Sequence, residues 1–219
     1  MRYDELGCLI REKYHEGHIA NLGDSCAETA RASILGDLRA HSLWRFRVWI
    51  GYVRHPSLAN VSGWDHADFS NDQFLPLIMA KAAFGYPQSP SVLIPGTNTI
   101  VSAGVLCIML RQYWLLNVVN IIQGWLFNLK WRVADDGKLE LQDGQVQDWL
   151  NYLCTYVFLR RLGKWATLNQ SHERCMKAVR KYYLEGDDFE PNSQWIVDLY
   201  SKALASDSEQ TSGSNGSKI

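Results

Sequence analysis

GYVRHPSLANVSGWDHADFSNDQFLPLIMAKA, residues 51–82, changes character once: it is polar and aperiodic at first, and from Phe74 onward its apolar residues recur at helical spacing. Leu75, Ile78, Met79 and Ala82 share one face, which predicts a helix running to about Phe84. Ser70-x-x-Gln73 has the spacing of a capping box, and Asp72 is the alternative N-cap. Pro76 removes an early backbone donor and leaves a carbonyl near Asp72 without its usual partner. The polar part holds Arg54, His55, Trp64, Asp65, His66, Asp68, Asp72 and Gln73. Loops of this length inside a domain are either functional or disordered. Trp64, Phe69 and the His55-Pro56 step favour function, because large aromatics gain by burial and proline pre-sets its own φ.

Upstream, Gly23-Asp24-Ser25 opens a second polar-to-helix junction, with Ser25-x-x-Glu28 again at capping-box spacing. The helix it starts is expected to bury Ala27, Ala30, Ile34 and Leu38, with Asp24, Glu28 and Arg31 on or beside the other face. Residues Arg2 to Glu16 place Leu6, Leu9, Ile10 and Tyr14 at helical spacing, predicting an amphipathic first helix that Gly17 stops. Ser42 to Val53 reads as helix in preference to strand, with Leu43, Phe46 and Ile50 on one face.

Downstream, Pro87, Pro90, Pro95 and Gly96 mark an extended connection. The helical stretch from Thr97 or Asn98 to about Lys130 is too long to run unbroken and should divide near Arg111 to Trp114. In its second half Asn117, Asn120, Gly124 and Asn128 fall on one side, whose polar groups are all uncharged amides. Asp136-Gly137 between alternating residues predicts a small β-hairpin near 130–142. Three more helices follow: Asp143 to Leu162, ended by Gly163 and buried through Val146, Leu150, Leu153 and Val157; Ser171 to Leu184, with Cys175, Ala178 and Tyr182 inward; and one after Pro191-Asn192, presenting Ile196, Leu199 and Ala203. The fold class is therefore all-α, stacked helical hairpins or an orthogonal bundle, with that one hairpin. Residues 1–205 are expected to form a single domain, and 206–219, rich in Ser and otherwise mostly polar, a disordered tail.

Composition narrows the function. With 22 basic against 23 acidic residues, net charge −1, no field attracts nucleic acid. Five widely spaced cysteines in apolar surroundings look reduced and packed, and no signal peptide is visible, so a cytoplasmic protein is expected. The most apolar run, residues 99–129, is interrupted by Arg111, Gln112 and several amides, so no membrane span is expected. Nine tryptophans line either a core or a ligand platform.

Three polar clusters carry the candidate chemistry: Asp24 with Glu28 and Arg31; Arg54 with His55; and the run from Trp64 to Gln73. Each Asp or Ser at a helix start has capping as its plainer role. The sharper one is paired-carboxylate catalysis, in which one acid protonates a leaving oxygen while the other activates water or attacks. Asp24 and Asp72 are the candidates. His55, Asp65, His66 and Asp68 could alternatively ligate a divalent metal, although their spacing matches no strong metal signature. The chain has no Gly-x-Ser-x-Gly elbow, phosphate loop or dinucleotide fingerprint, and no cofactor is expected.

The GDS (23–25), RHP (54–56) and SNDQ (70–73) junctions resemble those of uncharacterised bacterial and phage helical proteins. The plan of helical hairpins, rich in Trp with acidic residues at helix ends, also resembles part of the (α/α)-toroid carbohydrate-active enzymes; the resemblance covers residues 20–85. It implies a glycan-like small molecule or polymer as substrate, with Asp24 and Asp72 as acid and base. The expected function is thus a hydrolase or lyase with His55 assisting catalysis and Arg54, Trp64, Asp68, Gln73, Asn117 and Asn120 binding substrate. The alternative is a non-catalytic helical module that binds a protein partner through residues 54–73.

Overall fold

Helix α1, Ser25–Leu35, is buried along its entire length, which is unusual for a segment holding Glu28 and Arg31. Its small residues, Ala27, Ala30, Ala32 and Ser33, let neighbours approach from every side. The computed structural model describes residues 1–13, 19–40, 43–48, 51–52, 54–58, 71–85, 99–130, 143–185 and 193–205. Around α1 stand α2 (Asn71–Ala83), α3 (Thr99–Met109), α4 (Tyr113–Lys130), α5 (Asp143–Arg161), α6 (His172–Arg180, continued by a π-helical turn, Lys181–Glu185) and α7 (Gln194–Ala205). The protein is mostly helical, as its patterning predicts. The hairpin expected near 130–142 and the tail from 206 lie outside the described residues.

Both α1 and α5 are central. α1 packs on α2, α5 and α7, and α5 packs on α2, α4 and α6 as well. From Trp149 to Leu159 every residue of α5 is buried, as expected of a helix enclosed on all sides. Pro76 lies inside α2. No helix among the described residues is long and apolar enough to cross a membrane.

Helix ends follow cap chemistry. α1 and α5 stop at Gly36 and Gly163, both at positive φ, and α3 stops at Arg111, a non-glycine residue at φ 55. At each, the residue in the left-handed region and its successor donate back to the last turn: Gly36 to Ser33 and Asp37 to Ala32, Arg111 to Ile108 and Gln112 to Cys107, Gly163 to Arg160 and Lys164 to Leu159. This cap at Arg111 is the expected division of the long helical stretch. Gly36 also corrects the expected buried face of α1, because the helix ends before Leu38, which is 89% exposed.

Residues 2–13 do not form the expected helix, whose remainder lies outside the described residues. β1 (Arg2–Tyr3), β2 (Leu9–Lys13) and β3 (Ile19–Asn21) make an antiparallel sheet in that order, with Tyr3 opposite Leu9 and Arg2 opposite Ile10. The physical reason lies in the turn: Asp4 Oδ1 accepts from the backbone N–H of Leu6 at 3.0 Å and of Cys8 at 2.8 Å, and Gly7 supplies φ 74. Leu9 N then donates to Thr29 Oγ1 on α1 at 2.8 Å, anchoring the strand to the core. The described part of the 42–53 stretch, residues 43–48 and 51–52, also departs from the expected helix. Leu43–Phe46 is a 3₁₀ turn, followed by a second hairpin of β4 (Arg47–Val48) and β5 (Gly51–Tyr52). Valine and tyrosine suit strands, and of the face predicted for this stretch Leu43 and Phe46 lie in the 3₁₀ turn while Ile50 lies outside the described residues.

Glu28 and Arg31 do not lie on an outer face. Glu28 Oε1 and Arg31 Nη1 are 3.1 Å apart with both side chains fully buried. Arg31 Nε and Nη2 donate to Asn151 Oδ1 on α5 at 3.2 and 3.0 Å. The Tyr183 hydroxyl donates to Glu28 Oε2 at 2.7 Å and that of Tyr182 to Oε1 at 3.4 Å. Burial, and then the Glu28 charge, push the Tyr183 hydroxyl well up, which keeps it protonated as a donor. The capping box is therefore not formed: Glu28 turns into the core instead of back to its own helix start.

Candidate functional site

The two helix-opening junctions meet at one carbonyl. Gly23 O accepts from Gln73 Nε2 at 2.5 Å and from Arg54 Nη1 at 3.3 Å, while the backbone N–H of Cys26 donates to Arg54 O at 2.9 Å. Residues from the first turn of α2 and from the 54–58 segment thus close on the start of α1. Two helix N-termini side by side concentrate unsatisfied N–H groups and positive dipole ends, which favour negative charge.

Asp24 occupies the N-cap position of α1 yet makes no side-chain cap bond to that helix. Ser25 and Gln73 are both buried, and Ser25 Oγ and Gln73 Oε1 have no hydrogen-bond partner among the described residues. Buried polar atoms in that condition are uncommon and mark a place where a partner is accommodated. Of Asp72, only the backbone position in the first turn of α2 is described. Trp64, Asp65, His66 and Asp68 lie outside the described residues.

His55 turns to a residue that spacing did not indicate. Its Nε2 lies 2.7 Å from Asp4 Oδ2, and its Nδ1 lies 2.7 Å from Ser57 Oγ and accepts from Ser57 N at 3.2 Å. Because a backbone N–H must donate, Nδ1 is the acceptor and the ring proton sits on Nε2, donated to Asp4. This order, hydroxyl to imidazole to carboxylate, is that of an activated nucleophile. It is also a local brace: Leu58 N donates to His55 O at 3.0 Å, so the imidazole and its own carbonyl together cap the 3₁₀ turn Pro56–Leu58 and tie it to the β1–β2 turn.

Cys8 joins this group, the ligating atoms of Asp4, Cys8 and His55 all lying within 4.8 Å of one another. An oxygen, a sulfur and a nitrogen suit zinc. Here, however, the nitrogen and an Asp4 oxygen are in direct hydrogen bond, the other Asp4 oxygen serves two backbone N–H groups, and no fourth such residue joins among the described residues.

Asn117 and Asn120 are placed elsewhere. Both are buried on the side of α4 that faces the segment after α5. Asn117 Oδ1 accepts from Thr167 N at 3.2 Å, Asn169 Nδ2 donates to Ile121 O at 2.9 Å, and Gln170 Nε2 donates to Gly124 O at 3.2 Å. Gly124 is required there, since a Cβ would sit 2.1 Å from Asn169 Oδ1. Asn117 and the carbonyls of Ile121 and Gly124 thus dock residues 167–170, and no hydrogen bond among the described residues links Asn117 or Asn120 to Gly23, Arg54 or Gln73.

All five cysteines are unpaired by disulfide and buried. Burial pushes the Cys154 thiol up to about 11 and the Cys175 thiol up to about 12, so neither offers a thiolate nucleophile near neutrality. Cys26, at the start of α1, is packed in the core. Sequence reasoning missed Asp4 and Ser57; the signal for Asp4 was Asp4-x-x-Gly7, a turn pattern inside a stretch read as helix. Compared with family models, curated proteins and solved structures, the chain gives no match.

Proposed function

We propose that the chain is a hydrolase or lyase acting on a glycan-like substrate at the Gly23 junction, with Asp24 and Asp72 as its paired carboxylates. The observation that carries this reading is the joint grip of Arg54 and Gln73 on Gly23 O, because it sets the starts of α1 and α2 together. Asp24 is the residue before α1 and Asp72 the second residue of α2. Helix dipoles favour the ionised form of a carboxylate at either start, while two like charges close together oppose double ionisation. One carboxylate then serves as the base or nucleophile and the other holds the proton for the leaving oxygen. Arg54, which is only partly buried, is the described candidate for holding substrate, and Trp64 and Asp68 remain candidates from the sequence alone. His55 is a positioning residue in this scheme, bracing the segment that carries Arg54 against Asp4 and Ser57.

The test is an assay of the full chain on a panel of soluble neutral and acidic polysaccharides, reading new reducing ends for hydrolysis and ultraviolet absorbance of unsaturated ends for elimination. The expected result is product from at least one polymer, lost in Asp24→Asn while the melting temperature holds. No product from any polymer, or full turnover in Asp24→Asn, contradicts the reading.

A further inference from the structure

At the other end of α1, about 16 Å from Gly23 by helical rise, the last turns of α1, α5 and α7 surround a cavity of about 570 Å³. Its floor is apolar, formed by Leu35, Val157, Leu199 and Ala203, and its walls carry Arg160, Arg161, Lys164 and Lys202. No Asp or Glu is among its described lining residues. Trp165 also lines it and is 67% exposed. The Gly163 cap builds this arrangement, because it turns the chain directly after Arg160 and Arg161 and brings Lys164 and Trp165 back beside them. Gly36 builds the other side: a Cβ there would lie 2.4 Å from Arg161 Nη2, so the guanidinium rests against bare backbone.

Cations in a helix's last turn complement its dipole, and that accounts in part for Arg160, Arg161 and Lys202. It does not account for Lys164, which lies beyond the helix, for a cavity of ligand size, or for a tryptophan left open beside it. Partial burial lowers the Arg161 pKa, and no carboxylate among the described residues offsets that effect. A positive charge held in this way favours an anion.

We propose that this cavity binds a small organic phosphate of about mononucleotide size, its phosphate held by Arg161, Lys164 and Lys202 and its ring stacked on Trp165. Several converging cations call for more than one negative charge, which a phosphate monoester supplies near pH 7. The apolar floor and the tryptophan call for a flat, weakly polar body. A net charge of −1 gives no field for a nucleic-acid polymer, so the ligand is a small molecule. This site is independent of the glycan reading.

Calorimetric titration of the full chain with adenosine monophosphate, adenosine and inorganic phosphate tests it. Adenosine monophosphate should bind at least about tenfold tighter than adenosine, and Arg161→Gln or Lys202→Gln should each weaken it by roughly ten- to a hundredfold. Trp165→Ala should weaken adenosine monophosphate by about tenfold while leaving inorganic phosphate unchanged. Lys202 is exposed, so its variant reports on binding even if Arg161→Gln folds poorly. No binding of the nucleotide, equal binding of adenosine, or wild-type affinity in Lys202→Gln overturns the proposal.

A separate observation concerns the outer side of α3 and α4. Leu106, Leu110, Leu115 and Ile122 are exposed there together with Trp114 and Trp125, at 65% and 66%. α4 carries no charged residue between Tyr113 and Leu129. These six side chains expose roughly 700 Å² of apolar surface, above the ~300–600 Å² of a typical monomer's largest patch and close to the ~800 Å² per partner of a standard interface. We infer that this face pairs with the same face of a second copy. The uncharged face of α4 meets itself without like-charge repulsion, as an isologous two-fold contact requires. Sedimentation equilibrium should give a dimer for the wild type at micromolar concentration and a monomer for Trp125→Lys and Trp114→Lys. A monomeric wild type at all concentrations, or variants that stay dimeric, overturns it.

Discussion

Glu28→Gln is expected to cost about 3–5 kcal/mol of unfolding free energy. The side chain keeps its shape and can still accept from Tyr183, so the loss is electrostatic. Arg31 would remain fully buried, 3.1 Å from a neutral group, with the Asn151 oxygen as its remaining described acceptor. Removing one member of a buried pair leaves a charge whose desolvation nothing offsets. Replacing both members, as Glu28→Gln with Arg31→Met, should recover much of that loss, because no charge is then stranded. Urea unfolding of wild type, both single variants and the double variant measures this directly. A single-variant cost under about 1 kcal/mol would show that the pair is not desolvated as its burial indicates.

That buried pair was illegible in the sequence for a physical reason. Glu28 and Arg31 three apart on a helix are what a solvated face looks like, and the groups that receive them, Asn151 and Tyr183, lie more than a hundred residues away. The helices were legible because caps and apolar periodicity are local: Gly163 ends α5, and the division at Arg111 follows from length alone. Leu6, Leu9 and Ile10 misled because i, i+3, i+4 spacing over so short a run also fits a strand buried on both faces. What decides there is Asp4 accepting two backbone N–H groups with Gly7 at positive φ.

The candidate site was legible to a similar depth. Gly23, Arg54 and Gln73 stood out as polar junctions, and those junctions meet. The partner of His55 was hidden, because Asp4 lies 51 positions away in a segment read as helix. On the amide-only side of α4, Asn117 and Asn120 are indeed buried, but Asn117 and the Gly124 carbonyl meet the chain's own 167–170 segment.

The central claim, that the Gly23 junction is a catalytic site and not a pair of helix caps, is tested most directly by Asp72→Asn. Asp72 stands in the first turn of α2, beside the Gln73 that holds Gly23 O. Asparagine keeps the shape and caps a helix about as well as aspartate, so a capping role predicts little change of any kind. An acid–base role predicts that kcat falls by about 10²- to 10⁴-fold, because the amide can neither take up nor deliver the proton. The measurement is kcat on a cleaved polysaccharide together with the melting temperature of the same preparation. The account predicts the fall in kcat with a melting temperature within about 2 °C of wild type; turnover at the wild-type rate, or a variant that unfolds, would contradict it.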